Sequence, residues 1–357
     1  MIKHVYDLSQ KTEWLNALRK LPISQQDIYF LPEYFELNME NGAGDARCFV
    51  FEDGDDVAVY PLIVNSVSNL GLIQNDIEYY DIQGSYGYSG IASSNYKKKF
   101  RSQFFKYFNK YCDENNIIAE FTRFHPIIDN YHFAKDDVNI SMNRNTVMLD
   151  LTKGYDHIWN NDYSSRNRNM LKKSEKKGLN SNIVTGSDYL LHFRDFYINT
   201  MKDVKAEQFY FFQQSYFENL DNYLGDNYFI INVYYKNKVI NSLLVLYYGN
   251  YVHYHLSARD RNYSSLGANN YGLDVAIKHS IDIGSKIFHF GGGNTQSPND
   301  SLLKFKTSFS KTKAEYYIGN KVHNQVVYDE ICAIWEKKNP DKKDLFRNYF
   351  LKYRILQ

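Results

Sequence analysis

A lysine follows a run of glycines in the last third of the chain, and this combination suits chemistry at a carbonyl group. The run is Gly291, Gly292, Gly293 and Asn294, and Lys306 lies shortly after it. When an amine attacks an ester or thioester carbonyl, negative charge develops on the oxygen, and a fixed ammonium or backbone amide stabilises that charge. We therefore predict that Lys306 and the amides from Gly291 to Asn294 contact the reacting oxygen. The alternative is that Lys306 is an ordinary solvated helix lysine.

The attacking amine must be neutral, so this chemistry also needs a group that accepts a proton. His289, Asp300 and Glu78 are the candidate bases, and deprotonation assisted by the substrate is a further alternative. The sequence does not choose among them. We assign His289 to the candidate catalytic group together with Lys306 and its neighbour Phe305.

Two short elements must position these residues. Lys286 to Phe290 alternates and is rich in aromatic and branched residues, which predicts a strand. The glycines remove side chains where that strand ends, so a ligand or another backbone segment can come close, or a positive φ can be adopted. Asn299 to Ser301 predicts a helix start, with Lys306 in the following turns. The alternative function of the glycines is a tight turn from strand to helix.

The most basic stretch of the sequence lies between residues 164 and 178 and predicts a capped helix that ends at Gly178. Such a cluster suits the phosphates of a nucleotide, a lipid pyrophosphate or tRNA. The alternative is a solvated helix face. We predict that Arg166 and Arg168 bind substrate. The cations of the stretch are Arg166, Arg168, Lys172, Lys173, Lys176 and Lys177.

Two other stretches carry candidate substrate-binding residues. A glycine-rich loop contains Tyr86 and Tyr88, whose flat apolar faces and hydroxyl groups suit a sugar or a peptide, although a simple connector is the alternative. A predicted helix from Ser264 to Ile283 follows a basic loop, and helix N-termini attract anions. The predicted contacts in this second stretch are Arg259, Asn269 and Asn270.

His253 and His255 share one face of a predicted strand, at the spacing that a metal-binding pair on a strand would use. No carboxylate or third ligand lies near them in the sequence. The pattern therefore favours structural or substrate-contacting histidines, and we expect no metal.

Composition excludes several classes of protein. The 357 residues have a formal net charge of +1, so no global field indicates DNA binding and any basic surface must be local. Three widely spaced cysteines without metal-ligand spacing indicate a reducing compartment. The N-terminus lacks a signal-peptide core and no run of about 18 apolar residues occurs, so we expect a cytoplasmic protein without stable membrane insertion.

The order of predicted elements indicates an α+β fold with two domains and mixed, mainly antiparallel sheets flanked by helices. Hydrophobic density falls between Phe133 and Asn145, where Asp and Asn residues cluster. We place the domain boundary there. The predicted domains are residues 1–143, on the acceptor side, and residues 144–357, which carry the transfer site and a short C-terminal helical tail.

Several stretches together resemble the Fem family of aminoacyl transferases and the related acyltransferases of envelope polysaccharide gene clusters, which have a GNAT-like fold. The resemblance covers nearly the whole chain. The stretches that carry it are Tyr29 to Tyr34, Tyr86 to Tyr88, Ser165 to Gly178, Phe196 to Met201, Phe288 to Gly293, Leu303 to Phe309 and Phe350 to Arg354.

The resemblance implies two tandem GNAT-like domains and transfer of an acyl group to an amine of a cell-wall or surface-glycan precursor. In the Fem transferases the donor is aminoacyl-tRNA and the acceptor is a peptidoglycan precursor peptide, whereas the polysaccharide relatives are thought to use acyl-CoA and an amino sugar. The phenylalanine–lysine pair of the family matches Phe305 and Lys306. The stretch Ser264 to Asn269 lacks the full pattern of a coenzyme A pyrophosphate loop, and no long coiled-coil arm of the Fem type is evident.

Our leading hypothesis is an acyltransferase that acts on a small-molecule or lipid-linked envelope precursor, such as an amino sugar nucleotide or a peptidoglycan peptide. Acyl-CoA and aminoacyl-tRNA are the two donors considered, which makes tRNA a candidate partner. The alternative is a non-catalytic protein that binds a glycan or a nucleotide on a duplicated GNAT scaffold. The sequence does not identify the donor, the acceptor, the general base or the oligomeric state.

Overall fold

The computed structural model of the chain describes residues 1–73 and 77–355 and divides into two compact units. Unit 1 consists of residues 1–25, 29–143 and 316–357, and unit 2 consists of residues 26–28 and 144–315. The C-terminal segment 316–357 therefore belongs with the N-terminal unit, whereas the sequence predicts it as part of the second domain.

Unit 1 contains a sheet with the strand order β1, β2, β3, β4, β6, β13, and β5 pairs with β3. Its strands are β1 (Ile2–Tyr6), β2 (Asp45–Asp53), β3 (Asp56–Ser66), β4 (Tyr80–Gln83), β5 (Ala92–Ser93), β6 (Ile117–Arg123) and the second part of β13 (Lys313–Val322). Its helices are α1 (Lys11–Arg19), α2 (Pro32–Glu40), α3 (Lys98–Glu114), α4 (Tyr131–Ala134) and α11 (Gln325–Lys338).

Helix α3 covers the core of unit 1 because its aromatic residues recur at helical spacing. Phe104 and Phe108 are fully buried and contact Phe49 of β2 with ring centroids 5.4 and 5.2 Å apart. The aromatic residues of this helix are therefore core residues, as their periodicity indicates.

Unit 2 contains a sheet with the strand order β8, β9, β10, β11, β12, β7. Its strands are β7 (Asn139–Asp150, from Arg144 onward), β8 (Asn180–Val184), β9 (Tyr228–Tyr235), β10 (Lys238–Tyr248), β11 (Tyr251–Arg259) and β12 (Ile287–Gly292). Its helices are α5 (Tyr155–His157), α6 (Ser165–Lys176), α7 (Ser187–Val204), α8 (Gln214–Leu224), α9 (Ala268–Asp282) and α10 (Ser301–Lys306).

The two sheets share one plan. In each sheet the fourth and fifth strands, β4 with β6 and β11 with β12, are parallel, and the other neighbouring pairs within each unit are antiparallel. A parallel pair requires a crossover connection, and the chain supplies α3 in unit 1 and α9 in unit 2. The predicted α+β class with mainly antiparallel sheets is confirmed.

Strand β13, the sixth in the unit 1 sheet, explains why the C-terminal segment belongs to unit 1. Residues 318–322 of β13 pair with residues 119–123 of β6, which places this strand at the edge of the unit 1 sheet. Helix α11 then buries Ile331 and Trp335 in a cluster that contains Ile118. The tail completes the N-terminal sheet and core rather than extending the second domain.

One helix of unit 2 begins later than the sequence predicts. Helix α9 begins at Ala268 rather than Ser264, because Gly267 has the left-handed φ of +73° and interrupts the helical path. Helix α8 begins at Gln214, and Gln208–Tyr210 forms a separate short turn before it. In residues 1–73 and 77–355, no helix has both the length and the apolar character needed to cross a bilayer.

Candidate functional site

Strands β11 and β12 separate partway along their length, and the candidate site is at this divergence. The parallel pairing joins only Tyr251–His253 to Ile287–His289. Beyond it, β11 continues beside β10 as far as Arg259, and β12 continues beside β7 as far as Gly292. The facing backbone edges of the two strands are thus unpaired with each other beyond residues 253 and 289.

The glycine run follows this divergence and is held in one conformation. Gly291 has a φ of +75°, which favours glycine. Arg144 donates from Nη1 to the carbonyl oxygens of Gly293 at 2.9 Å and Asn294 at 3.3 Å. A Cβ atom on Gly293 would lie 2.5 Å from Oδ1 of Asp300, so a larger residue does not fit. The glycines therefore allow close packing of charged side chains against the backbone.

Asp300 closes the loop that begins with the glycines. Its carboxylate accepts hydrogen bonds from the amides of Asn294 and Thr295, both at 3.1 Å, and from the amide of Leu303 at 2.9 Å as the cap of α10. Burial alone would raise the pKa of this carboxyl, but the hydrogen bonds outweigh it and lower the pKa. Asp300 is consequently a positioning carboxylate, and the Asn294 amide already has an acceptor.

Lys306 is the last residue of α10 and is buried, with 7% of the residue surface exposed. Its Nζ atom donates to the carbonyl oxygen of Gly292 at 2.7 Å and lies 5.7 Å from the ring centroid of Tyr254 on β11. Burial lowers the pKa of Lys306 to about 7; Asp300 opposes this shift and Arg144 adds to it. A lysine of this kind can exchange protons near neutral pH.

Phe305 and His289 differ in their surroundings. Phe305 packs against the hydrophobic core of unit 2, and its ring centroid lies 5.6 Å from that of Phe309. His289 is buried on β12, and its Nδ1 lies 3.3 Å from Nδ1 of His253. His253 contacts Oδ2 of Asp27 through Nε2 at 2.8 Å. His289 therefore belongs to a buried histidine–carboxylate group at the last paired position of β11 and β12.

His253 and His255 contact different residues of unit 2. The Nε2 atom of His255 lies 2.8 Å from the hydroxyl oxygen of Tyr216. Burial lowers the pKa of His255 to about 3, with a smaller contribution from His253. At neutral pH the His255 ring is thus uncharged.

The beginning of α9 is covered by α6. A Cβ atom on Gly267 would lie 2.6 Å from Cγ of Met170, and the Ser174 hydroxyl donates to the carbonyl oxygen of Leu266 at 2.7 Å. Asn270 donates from Nδ2 to Oδ1 of Asn167 at 2.8 Å. The first turn of α9 is therefore packed against a neighbouring helix.

Asn269 connects this turn to the lysine region. Its Oδ1 accepts a hydrogen bond from the Tyr254 hydroxyl at 3.3 Å, and the ring of Tyr254 is the one near Lys306. The predicted residues Asn269, Lys306 and the glycine run are thus brought together through Tyr254.

The two predicted arginines of α6 have different environments. Arg168 donates from Nη1 to the carbonyl oxygens of Tyr163 at 2.5 Å and Trp159 at 3.0 Å, so its guanidinium stabilises the turn before α6. Arg166 is exposed at the start of the helix. Arg259 is exposed at the end of β11. The other exposed cations of α6 are Lys172, Lys173 and Lys176, followed by Lys177.

Tyr86 and Tyr88 belong to a half-buried, tyrosine-rich loop of unit 1. The backbone oxygen of Tyr86 accepts a hydrogen bond from the Tyr34 hydroxyl at 2.8 Å. The ring of Tyr88 lies 5.5 Å from Tyr29 and 5.4 Å from Tyr316, measured between centroids. The loop is therefore an ordered aromatic cluster.

Three residues of the site were not identified from the sequence, namely Arg144, Asn167 and Tyr254. Arg144 lies in the polar stretch in which the sequence predicts the domain boundary, and Asn167 lies among more conspicuous cations. Tyr254 alternates with His253 and His255 on β11, so it faces away from them. That alternation was the one signal available for Tyr254.

Known proteins with a GNAT-like fold are similar to this chain. Residues 165–306 match the family model described as the Acetyltransferase (GNAT) domain. The structure of FemX covers 92% of this chain and 99% of its own chain, with a TM-score of 0.70 and 14% identity. The C-terminal domain of a putative lysylphosphatidylglycerol synthetase from Agrobacterium fabrum covers 93% of this chain and 96% of its own, with a TM-score of 0.54 and 12% identity.

A third structure, L-PGS from Bacillus licheniformis, covers 84% of this chain and 95% of its own, with a TM-score of 0.51 and 11% identity. A comparison with curated protein sequences gave no match. The predicted Fem-type, GNAT-like fold is confirmed by the structural similarity. The family-model match covers most of unit 2, which confirms the prediction of an acyltransferase at the level of reaction class.

Proposed function

We propose that this acyltransferase of GNAT-like fold transfers an aminoacyl group from aminoacyl-tRNA to an amine of a cell-envelope precursor. The observation that carries the proposal is the buried ammonium of Lys306 beside the glycine run, where β11 and β12 separate. A buried cation next to an open edge of backbone is suited to a carbonyl oxygen that becomes negative.

The reaction follows from this geometry. The neutral amine of the acceptor attacks the ester carbonyl of the donor, and the carbonyl π electrons move to the oxygen. The Lys306 ammonium donates a hydrogen bond to that oxygen. The intermediate then collapses, a C–N bond replaces the C–O bond, and the ribose oxygen leaves with the proton that the amine loses. Phe305 contributes by packing α10 against the core, which fixes the direction of Lys306.

The beginning of α9 favours the tRNA ester over acyl-CoA as donor. A coenzyme A diphosphate bound at a helix start needs small residues and accessible amides. Here α6 packs against Gly267, and the Asn270 side chain is engaged by Asn167. The exposed cations of α6 instead form a basic face that suits a phosphate backbone.

The envelope precursor is the acceptor that the Fem-type resemblance implies. The tyrosine-rich loop of unit 1 with Tyr86 and Tyr88 supports a role for that unit in recognising a sugar or a peptide, because ordered tyrosines offer both ring faces and hydroxyl groups. Residues 1–143 would then act on the acceptor side, together with the C-terminal segment that joins unit 1.

Replacement of Lys306 by alanine tests the catalytic proposal. We expect kcat to fall by about 10² to 10³, the usual loss when one donor to a developing oxyanion is removed. Lys304→Ala is the matched control because Lys304 is exposed in the same helix, and it should retain activity. Transfer is measured by mass spectrometry of the acceptor. Unchanged turnover in Lys306→Ala would refute the role, and binding without product for any donor would favour the non-catalytic alternative.

The donor is tested by binding at several salt concentrations. We expect aminoacyl-tRNA to bind with an affinity that falls steeply as salt rises, and Lys173→Ala/Lys177→Ala to reduce both affinity and salt slope. Lys98→Ala/Lys99→Ala, at the exposed start of α3, is the control. Stabilisation of the protein by acyl-CoA, without salt-sensitive tRNA binding, would assign the other donor.

A further inference from the structure

Unit 2 has a concentrated group of exposed apolar side chains at the end of α7 and in the connection from α7 to α8. Val204, Phe209 and Tyr210 are 38%, 55% and 40% exposed. Single exposed apolar residues are normal on a protein surface, but a group within one short segment indicates an interaction site. We call residues 202–211 the aromatic loop.

The exposure of this loop is fixed by its anchoring. The Tyr197 hydroxyl on α7 donates to the carbonyl oxygen of Tyr210 at 2.9 Å. Phe212 is 4% exposed and packs on Tyr216, with ring centroids 4.6 Å apart. The chain thus buries Phe212 while the neighbouring Phe209 and Tyr210 lie outside the core.

The aromatic loop lies at the end of β11 that diverges from β12. The hydroxyl oxygen of Thr200, near the end of α7, accepts a hydrogen bond from the Arg259 amide at 3.0 Å and lies 3.3 Å from the Arg259 carbonyl oxygen. Arg259 is the last residue of β11. The exposed aromatics are therefore near the end of the sheet at which the candidate site opens.

Cations accompany the apolar side chains. Lys202 and Lys205 are exposed within the loop, and their charge is offset by Asp203 and Glu207. Arg259 and Arg261 are also exposed, and the charge of Asp260 between them is offset by its ion pair with Lys238 at 2.8 Å, which leaves this surface with a positive balance. Aromatic and aliphatic side chains surrounded by cations match the composition of segments that lie in the headgroup region of anionic bilayers.

We propose that the aromatic loop docks reversibly on an anionic lipid surface, with Val204, Phe209 and Tyr210 entering the headgroup region and the cations contacting lipid phosphates. An aliphatic residue such as Val204 gains nothing from stacking on bases, so this composition favours a lipid surface over RNA. Docking would bring the site of unit 2 to a lipid-linked acceptor, and to that extent the usefulness of docking rests on the proposed function.

Vesicle sedimentation tests the proposal without donor or acceptor, so its result is independent of whether transfer occurs. We expect the wild-type protein to bind vesicles of phosphatidylglycerol and phosphatidylcholine, and to bind pure phosphatidylcholine much less. Phe209→Ala/Tyr210→Ala should weaken binding about tenfold or more, because the apolar area that enters the membrane is lost. Lys202→Ala/Lys205→Ala should weaken it by about fivefold per lysine.

The controls separate docking from folding and from RNA binding. Tyr189→Ala removes an exposed aromatic residue at the other end of α7 and should leave binding unchanged. Phe209→Leu keeps an apolar side chain and should retain most of the binding. Absence of wild-type binding, or equal binding by Phe209→Ala/Tyr210→Ala, would overturn the proposal. Loss of tRNA binding in that variant with unchanged vesicle binding would assign the loop to RNA instead.

Discussion

Lys306 combines two properties that a surface lysine lacks. Its ammonium is held by the Gly292 carbonyl oxygen at 2.7 Å, and burial lowers its pKa to about 7. A cation with a lowered pKa is a stronger acid, so it gives a stronger hydrogen bond to an oxygen that becomes negative. The same shift means that a small rise in pH removes the charge on which this role depends.

The pH dependence of transfer should therefore report the loss of charge on Lys306. Its contribution is fully present below its folded-state pKa and is lost as the pH rises through about 7. The acceptor amine must be neutral, so kcat/KM should rise with pH first and then fall with an alkaline limb near pH 7. Lys306→Arg keeps its charge at every accessible pH, and any activity that it retains should lack this limb.

The profile of Lys304→Arg provides the control, since Lys304 is exposed on the same helix. It should match the wild-type profile. A wild-type rate that increases through pH 7 and then stays level would contradict a charged Lys306 and would indicate that the neutral lysine acts as a base.

Individual residues of the site differed in how far the sequence revealed them. Lys306 and the glycine run are close in sequence, so local pattern was sufficient to associate them. Arg144 is 149 positions from Gly293, whose carbonyl oxygen it binds, and no local periodicity reports such a contact. The roles of Asp300 and Arg168 depend on which backbone groups they reach, which their residue types alone do not determine.

At the scale of elements, the loop between β12 and α10 is the part that positions Lys306. Asp300 caps α10 and also binds the amides of Asn294 and Thr295. One carboxylate therefore connects the helix that carries the lysine with the glycine run that the lysine contacts. Rotation of α10 and opening of the loop should be coupled through this residue.

Asp300→Ala should loosen both elements. Loss of a helix cap costs about 0.5 to 2 kcal/mol, and here the loop loses two further amide contacts. We expect faster hydrogen exchange in residues 291–306. The fall in kcat/KM, converted to a free energy, should exceed the loss in the free energy of unfolding. Ser301→Ala, an exposed neighbour, should behave as the wild type. Unchanged exchange in this segment would show that Arg144 and Lys306 hold the glycine run without Asp300.

Buried strands are recognisable from the sequence, whereas exposed edge strands are not. The three consecutive strands β9, β10 and β11 are largely buried, and their runs of branched and aromatic residues indicate strands. The edge strand β1 is mostly exposed, so its sequence lacks a buried face and gave no pattern. The late start of α9 depends on the left-handed φ of Gly267, which its sequence permits but does not require.

At the scale of the molecule, the two units differ in where their sixth strand comes from. Unit 2 uses β7, which comes immediately before its other strands in the sequence, whereas unit 1 uses β13, which comes after the whole of unit 2. The sequence therefore indicated two units and a boundary near residue 143, but not the return of the C-terminal segment. Strand order is set by long-range pairing, which local patterns do not contain.

The returning segment should be essential to the stability of unit 1, and Arg354 provides the test. It donates from Nε to Oδ2 of Asp81 at 2.6 Å and from Nη2 to the carbonyl oxygens of Asn65 and Ser66, both at 3.1 Å. Asp81 is fully buried, and burial raises its pKa despite the opposing effect of Arg354. Arg354→Met would leave that carboxylate buried without its cation, a change that typically costs about 3 to 5 kcal/mol.

Hydrogen exchange of β3 and β4 should report this loss locally, since a chain with two units need not unfold in one step. The loss should become smaller as the pH is lowered, because a protonated Asp81 carries no charge and burial already raises the pKa of this carboxyl in the folded state. Lys343→Met is the control, because it removes an exposed ion pair with Glu336 in the same C-terminal segment. It should lower the free energy of unfolding by no more than about 1 kcal/mol. If Arg354→Met and Lys343→Met were equally mild, the C-terminal segment would be bound to unit 1 by its apolar residues alone.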